Sequence, residues 1–502
     1  MSYNTEYNDT KSGVWNDILL VLLGISLNVL LTVKLSESHI GIRIASTDFI
    51  VPITLALAMM WIHKHKKIPL LNIEHGWKVL SIFSVWMLVS FIIGYMRTGE
   101  IMPWALVNKL LGWWILMAYF ITGVYIGLRN SWEKKAFFTA LFSISWAICC
   151  MELIMYWFFS HGFFYHTKYF GTYHRIEGFY QNPNAFGIFL SVIFLLQLFF
   201  LRESNKRENV ILNIAMIFTL LCVYLSFSRS AWIGLFFALM YSVISKPELV
   251  KQILVPIIGS IMLYFVAFSA TTSGLNIRFI ELFYDDLETM IQPANPGTDK
   301  ATPLENKSSK EAAPGKVGKT VVEENSDEFD SVLSRVTLKE GRKKRIEKHP
   351  TAKRMDVKQI GTIERITSHG LSTRLDITKR SLQYWSSSPV AGVGLGVHLW
   401  NSKAEGVSAD SLTIHNSLNW LLVETGMIGM FLFLYFVYQS IRGLHHAKQS
   451  RSGLICNNAM IAIVVLFMGA SLATEVIYQR YYWLLLGIFV VKPVSYPETR
   501  KN

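Results

Sequence analysis

Four groups of residues have the types and spacing that chemistry requires. The first is His174-Arg175-Ile176-Glu177-Gly178-Phe179, followed by Asn182-Pro183-Asn184. The second is Ser228-Arg229-Ser230, squeezed between two apolar runs. The third begins at Arg374 and continues through Arg380 and Trp385 to Pro389, Gly392, Gly394 and Gly396. The fourth is His415-Asn416, with Glu424, Gly426 and Gly429 further along. Several guanidiniums and one imidazole suit transfer from a phosphorylated donor. Arginine presents a planar fork that matches phosphate oxygens, and it stays charged at any relevant pH. A histidine titrating near neutrality can take the proton from an acceptor hydroxyl.

Each group also has a plainer reading. An arginine pinned between two spans can be snorkelling to the interface. A histidine such as His415 can be an interfacial or capping residue. Gly-x-Gly-x-Gly serves a tight turn as well as a phosphate cradle. Glu424 follows His415 by nine positions, half a turn out of phase on a helix. It is therefore expected to face away from His415. His161, His166 and His174 crowd one connection without an acidic pair at ligand spacing, so a metal site is not expected.

The elements that must position these residues are membrane helices. The chain has 502 residues, 52% hydrophobic and only 17% charged, against roughly 25% charged in soluble domains. Aromatics make up 14%, which suits interfacial belts. Apolar runs recur near 15–33, 44–62, 77–95, 103–128, 136–159, 185–201, 210–228, 230–245, 250–269, 417–440, 457–474 and 480–492, the last one short. Backbone groups in lipid must be satisfied internally, so these runs read as helices. An all-α polytopic protein with about twelve spans is expected. Cys149, Cys150, Cys222 and Cys456 fall in or beside the runs and read as packing residues. The first fourteen residues lack a basic segment, so no cleavable signal is expected.

Loop charge gives the orientation. Every even-numbered connection is basic: Lys64, Lys66 and Lys67; Arg129, Lys134 and Lys135; Arg202, Lys206 and Arg207; Lys246 and Lys251; Arg442, Lys448 and Arg451. The odd-numbered short connections hold only scattered cations. Both termini are then cytoplasmic and all four motif groups lie outside. The net charge of +13 reflects cytoplasmic anchors and an anionic substrate, not nucleic acid. The chain divides into helices 1–9 over 1–269, a large outer loop over 270–414 and helices 10–12 over 415–502. Within the loop, 293–325 has the composition of a flexible insertion. An acidic and then a basic cluster follow it, read as solvated faces that pair with each other. Asp48 and Lys109 sit in or beside spans and are functional candidates on that ground.

Outside the membrane there is no ATP, so a donor must bring its own activation. A sugar joined through pyrophosphate to a membrane lipid does so. Arginines at the surface would hold the pyrophosphate and stabilise charge as the glycosidic bond breaks. A flippase or transporter is the competing class, but it needs charged side chains recurring within spans, and these are sparse.

The four motif groups in this order resemble the bacterial O-antigen ligase / O-antigen polymerase superfamily. The resemblance rests on Arg175…Gly178…Asn182-Pro183-Asn184, Ser228-Arg229-Ser230-Ala231, Arg374…Trp385…Pro389…Gly392-Val393-Gly394 and His415-Asn416…Glu424-x-Gly426…Gly429. It covers roughly 170–430. It implies a GT-C-like, metal-independent, inverting glycosyltransferase of the bacterial inner membrane with no cofactor and a periplasmic site. Its donor would be an undecaprenyl-pyrophosphate-linked glycan and its acceptor a glycan or lipid A-core. Under a polymerase reading a chain-length regulator protein is a candidate partner. By analogy His415 would be the base, and Arg229 and Arg374 would engage the pyrophosphate. Arg175, Asn182, Asn184 and Arg380 would assist in substrate binding. Asn182-Pro183-Asn184 and Thr413-Ile414-His415-Asn416 look polymerase-like, with a ligase kept as the alternative. The polar stretch near 290–355 departs from the usual pattern of the family.

Overall fold

The computed structural model describes residues 14–33, 42–65, 74–129, 131–160, 175–180, 182–200, 206–268, 377–404, 414, 416–446 and 451–491. Helix dominates. The order is α1 (Val14–Ser26), a hairpin of β1 (Leu30–Val33) and β2 (Ile42–Ala45), a 3-10 turn (Ser46–Phe49), α2 (Val51–His65) and α3 (Glu74–Thr98). A π-helical stretch (Ala105–Leu111) then runs into α4 (Gly112–Gly127). Next come α5 (Ser131–Ser160), a 3-10 turn (Gly178–Tyr180), α6 (Pro183–Phe200), α7 (Lys206–Leu225), α8 (Arg229–Ser245) and α9 (Leu249–Phe268). Helical residues 377–386 form α10. The remainder is α11 (Val397–Ala404), α12 (Ser417–His446), α13 (Arg451–Ser471) and α14 (Arg480–Phe489).

All twelve apolar runs contain a helix, but not all of those helices are full spans. Among the described residues, seven are long and apolar enough to cross a bilayer: Gly76–Thr98, Ala105–Gly127, Trp132–Phe158, Pro183–Phe200, Lys206–Leu225, Leu249–Phe268 and Ser417–His445. Trp15–Ser26, Val51–Trp61, Arg229–Ser245 and Asn457–Ser471 are shorter apolar helices. The run at 15–33, read as one span, divides. Ser145 Oγ donates to Asn28 Oδ1 (2.7 Å) and Asn28 Nδ2 donates back to Gly24 O (3.2 Å), which ends α1. Leu30–Val33 then pairs antiparallel with Ile42–Ala45.

The short last run has a physical explanation. α14 has ten residues, about 15 Å of helix against roughly 30 Å of hydrocarbon. It is buried along Tyr481–Phe489, so it is packed in protein instead of lipid. Its backbone meets that of α4 directly, because a Cβ at Gly123 would run into Leu484 O and one at Gly487 into Phe120 O. α6 is likewise enclosed, with every residue of 185–199 buried. α9 is the opposite case. It buries Leu249, Ile253, Pro256, Ser260, Tyr264 and Phe268, one face at helical spacing. Leu254, Val255, Ile258, Ile261, Met262, Phe265 and Val266 are exposed on the other side. An apolar outer face of that extent suits lipid and not water.

The odd-numbered connections meet at one end of the bundle. Tyr180 Oη, between α5 and α6, donates to Leu27 O after α1 (2.7 Å). Arg175 reaches the α7–α8 turn. Asp48 and Lys109 both pair with the α13–α14 connection or the helix start after it. Trp400 on α11 donates to Glu100 after α3 (2.9 Å). Helices that cross up and down in alternation produce this gathering.

Candidate functional site

The α7–α8 turn is three residues long and strained. Phe227 takes a φ of 47°, a left-handed conformation that a bulky side chain rarely adopts. Ser226 N–H closes onto Cys222 O (2.9 Å) and Phe227 N–H onto Tyr224 O (3.0 Å), which ends α7. Ser228 caps α8, its Oγ accepting from Ala231 N (3.2 Å). Arg229 is therefore the first residue of α8, and it is exposed. A cation at a helix N-terminus opposes the helix dipole, by about 0.3–1 kcal/mol in exposed cases. The same end, with its free N–H groups and a guanidinium, attracts anions.

Arg175 is the clamp on this turn. Its Nε donates to Ser226 O (2.9 Å), and one terminal nitrogen donates to Phe227 O (2.9 Å) and Asn184 Oδ1 (3.1 Å). Backbone bonding continues the contact, with Ile176 N–H on Leu225 O (3.1 Å). Asn182 caps α6: its Oδ1 accepts from Asn184 N (2.9 Å) and Ala185 N (3.2 Å), with Pro183 at the first helical position. Arg175, Asn184 and the turn carrying Arg229 are thus brought together, while Asn182 holds the start of α6.

The glycine-rich segment has a structural task. α12 is broken at Gly426, whose φ and ψ are 70° and −173°. Four backbone groups around the break are satisfied by residues 389–394 instead of by the helix. Val393 N–H donates to Val423 O (2.9 Å) and Gly394 N–H to Glu424 O (3.1 Å). Met427 N–H donates to Pro389 O (3.0 Å) and Ile428 N–H to Val390 O (3.2 Å). Leu395 N–H continues to Ser90 O on α3 (2.9 Å), and Trp86 Nε1 donates to Thr425 O (2.8 Å). Gly392 meets Gly426 so closely that neither has room for a Cβ. The tight-turn reading accounts for these glycines: they wedge backbone between α3 and the kink.

A second polar cluster surrounds the start of α12. Asn416 caps the helix, its Oδ1 accepting from Asn419 N (3.0 Å), and its Nδ2 donates to Leu472 O (2.9 Å). Ser417 Oγ donates to Thr474 O (3.2 Å) and accepts from Val476 N (2.7 Å). Lys109, buried on the π-helical stretch, pairs with Glu475 and lies 4.2 Å from the Trp420 ring centre. Trp104 and Tyr478 rings are each 4.7 Å from its ammonium. Burial, and then the charge of Glu475, push the Tyr478 phenol well above its usual range, so it remains a donor, here to Lys109 O (3.2 Å). Trp420 Nε1 donates to the buried Glu424 (2.8 Å). Asn419 donates to Ser381 (2.7 Å), docking α10 and its exposed Arg380 on the same helix start.

Residues 214–434 match the family model described as O-antigen ligase. Over this stretch the chain is similar to the O-antigen ligase family. The match supports the resemblance to the O-antigen ligase and polymerase superfamily and a membrane enzyme of O-antigen assembly. No curated protein matches the chain. Arg229, Arg374, Arg380 and His415 fall inside the matched stretch; Arg175, Asn182, Asn184, Lys109 and Glu475 fall outside it.

Arg374 and His415 lie outside the described residues, as do His161, His166 and His174. Asp48, flagged in the sequence, receives both Nε and Nη2 of Arg480 (2.8 Å each) and the Tyr119 hydroxyl (2.6 Å). Sequence reasoning missed Glu475 and Glu152. Glu475 sits in the short connection between α13 and α14, with no local pattern. Glu152 did carry a signal, a lone carboxyl inside an apolar run. It is buried in α5, and its Oε1 has no hydrogen-bond partner among the described residues.

Proposed function

We propose that this chain is an inverting glycosyltransferase of the bacterial inner membrane that acts on its periplasmic face. The donor is an undecaprenyl-pyrophosphate-linked glycan. In a single displacement, the acceptor hydroxyl attacks the anomeric carbon from the side opposite the pyrophosphate. The bond from that carbon to the pyrophosphate oxygen breaks, and undecaprenyl pyrophosphate leaves. His415 takes the hydroxyl proton, and Arg229 and Arg374 stabilise charge on the leaving group. No metal or other cofactor takes part. Arg175 acts by holding the turn that aims Arg229. The twelve apolar runs build the membrane bundle, and among the described residues seven of their helices are long enough to cross the bilayer, with 270–414 outside.

One observation carries this reading: an exposed arginine at the first position of α8, on a strained turn that a second arginine clamps. A cation placed against the helix dipole, with backbone strain maintained beside it, has a reason if an anion binds there. The acceptor is assigned as another lipid-linked glycan, making the enzyme a polymerase, on the Thr413–Asn416 stretch. The alternative is a ligase with lipid A-core as acceptor. The glycan profile of a deletion strain separates the two. Single-repeat caps on lipid A-core indicate a lost polymerase, and full-length chains stranded on undecaprenyl pyrophosphate indicate a lost ligase. Arg229→Ala and His415→Ala are each expected to reproduce the deletion profile at normal protein level. Wild-type ladders in both variants overturn the mechanism.

A further inference from the structure

From the Lys109–Glu475 ion pair we infer that these two residues are positioning residues for transfer: they fix the start of α12 and its cap Asn416, which follows His415 in the sequence. The inference rests on the reading of His415 as base. Three separate attachments converge on this point. The cap Asn416 is tied to Leu472 O, and Ser417 exchanges hydrogen bonds with Thr474 and Val476, so the first two described positions of the helix start are stitched to 472–476. Glu475 lies inside that stitched segment and pairs with Lys109. Lys109 in turn packs its ammonium against Trp420, in the first turn of α12, and against Tyr478 beyond the segment.

The pair therefore closes a loop of contacts: α12 to 472–476, 472–476 to Lys109, Lys109 back to α12. Lys109 sits on a π-helical stretch, a departure from α-helix that is frequent at functional sites. Its side chain is 3% exposed and that of Glu475 29%, so the cation is sealed in while the carboxylate keeps one side toward the outer end. A buried ammonium held by three aromatic faces and one carboxylate has no room to wander, so it fixes the segment as a bolt does. Glu475 lies beyond the matched stretch and Lys109 before it, so the family description assigns neither a role.

The test uses the full chain in proteoliposomes with a polyprenyl-diphosphate-linked oligosaccharide as donor, and measures kcat, donor KM and thermal unfolding in detergent. Removing one partner would strand a buried charge, so the informative variant removes both: Lys109→Met with Glu475→Gln. It is expected to unfold near the wild-type temperature and to keep donor KM within about twofold, while kcat falls at least ~10-fold, because small misplacements of a reacting group cost that much. Wild-type kcat in this variant overturns the inference. Should the double variant fail to fold, Ser417→Ala cuts the stitching without stranding a charge. It is expected to lower kcat in the same way, and wild-type kcat there overturns the inference equally. His415→Ala in the same assay separates the two readings. An active His415→Ala enzyme overturns the base and the positioning role with it. An inactive one beside a full-speed double variant overturns the positioning role alone.

Discussion

Arg175→Lys tests whether the α7–α8 turn is held for the sake of Arg229. The guanidinium donates at 2.9, 2.9 and 3.1 Å to Ser226 O, Phe227 O and Asn184 Oδ1. An ammonium on a lysine stem keeps the charge but not the fork, and can retain one of the carbonyls. Two charge-assisted bonds at about 1.5–3 kcal/mol each are lost. Water can reach this half-buried site, so the net weakening of the turn is about 2–4 kcal/mol. Phe227 holds a left-handed φ that costs about 1–2 kcal/mol. The lost clamp is comparable to or larger than that strain, so the turn relaxes, and Arg229, two residues on, moves with it. Transfer should fall about 10–100-fold while the protein stays folded. Glycan ladders from membranes with matched protein levels, with monodispersity in detergent as the folding check, measure both. A double-mutant cycle decides the mechanism: in an Arg229→Ala background Arg175→Lys should add almost nothing. Multiplicative losses would show that Arg175 acts on its own, and wild-type ladders for Arg175→Lys would refute the clamp.

Further outcomes follow from other parts of the bundle. Deleting 293–325 should leave a folded, extractable protein, since the segment has almost no large apolar residue to contribute; loss of monodisperse protein in detergent would count against that. Gly426→Ala should destabilise by about 3 kcal/mol or more, because its φ and ψ belong to a region essentially reserved for glycine and its Cβ would strike the 390–392 backbone. An unchanged unfolding temperature would contradict this account of the kink. Asp48→Asn preserves shape but weakens both bonds from Arg480, and should lower stability by about 2–3 kcal/mol, read by thermal unfolding.

The helices were legible because lipid leaves the backbone no other choice, and each apolar run does contain one. Their lengths were not, because hydropathy cannot distinguish a lipid-facing span from a helix wrapped in protein. α9 and α14 are both apolar, yet α9 shows half its surface outward and α14 none. Asn28 also went unread, although a single amide bonded to Ser145 ends α1. At the candidate site, types and order pointed to Arg175 and Ser228-Arg229-Ser230, and the fold brings Arg175 onto the α7–α8 turn. They did not single out Arg175 as a clamp, since its bonds to Ser226 O, Phe227 O and Asn184 are visible only in the fold. Gly392 and Gly426 lie far apart in the chain, so only their contact reveals why both lack a side chain. Lys109 and Glu475 are more than 360 residues apart, and no local pattern could have joined them.

Among the described residues at the odd-numbered end, some cations are engaged within the fold and others are exposed, and the difference bears on the proposed donor contact. Lys109 is buried against three rings and a carboxylate. Arg480 is engaged by both oxygens of Asp48. Arg175 spends its nitrogens on two turn carbonyls and an amide. Each is fully explained by the fold, and withdrawing any of them to meet a substrate would break contacts inside the protein. Arg229 and Arg380 are exposed, one at the head of α8 and one on α10, which Asn419 docks to the start of α12. Under the proposed function, these exposed side chains are candidates to meet the pyrophosphate. The engaged cations then matter through geometry: Arg175 ties the α7–α8 turn to Asn184 on α6, and Lys109 ties Glu475 to the first turn of α12, so each holds in place an element that carries or adjoins an exposed guanidinium.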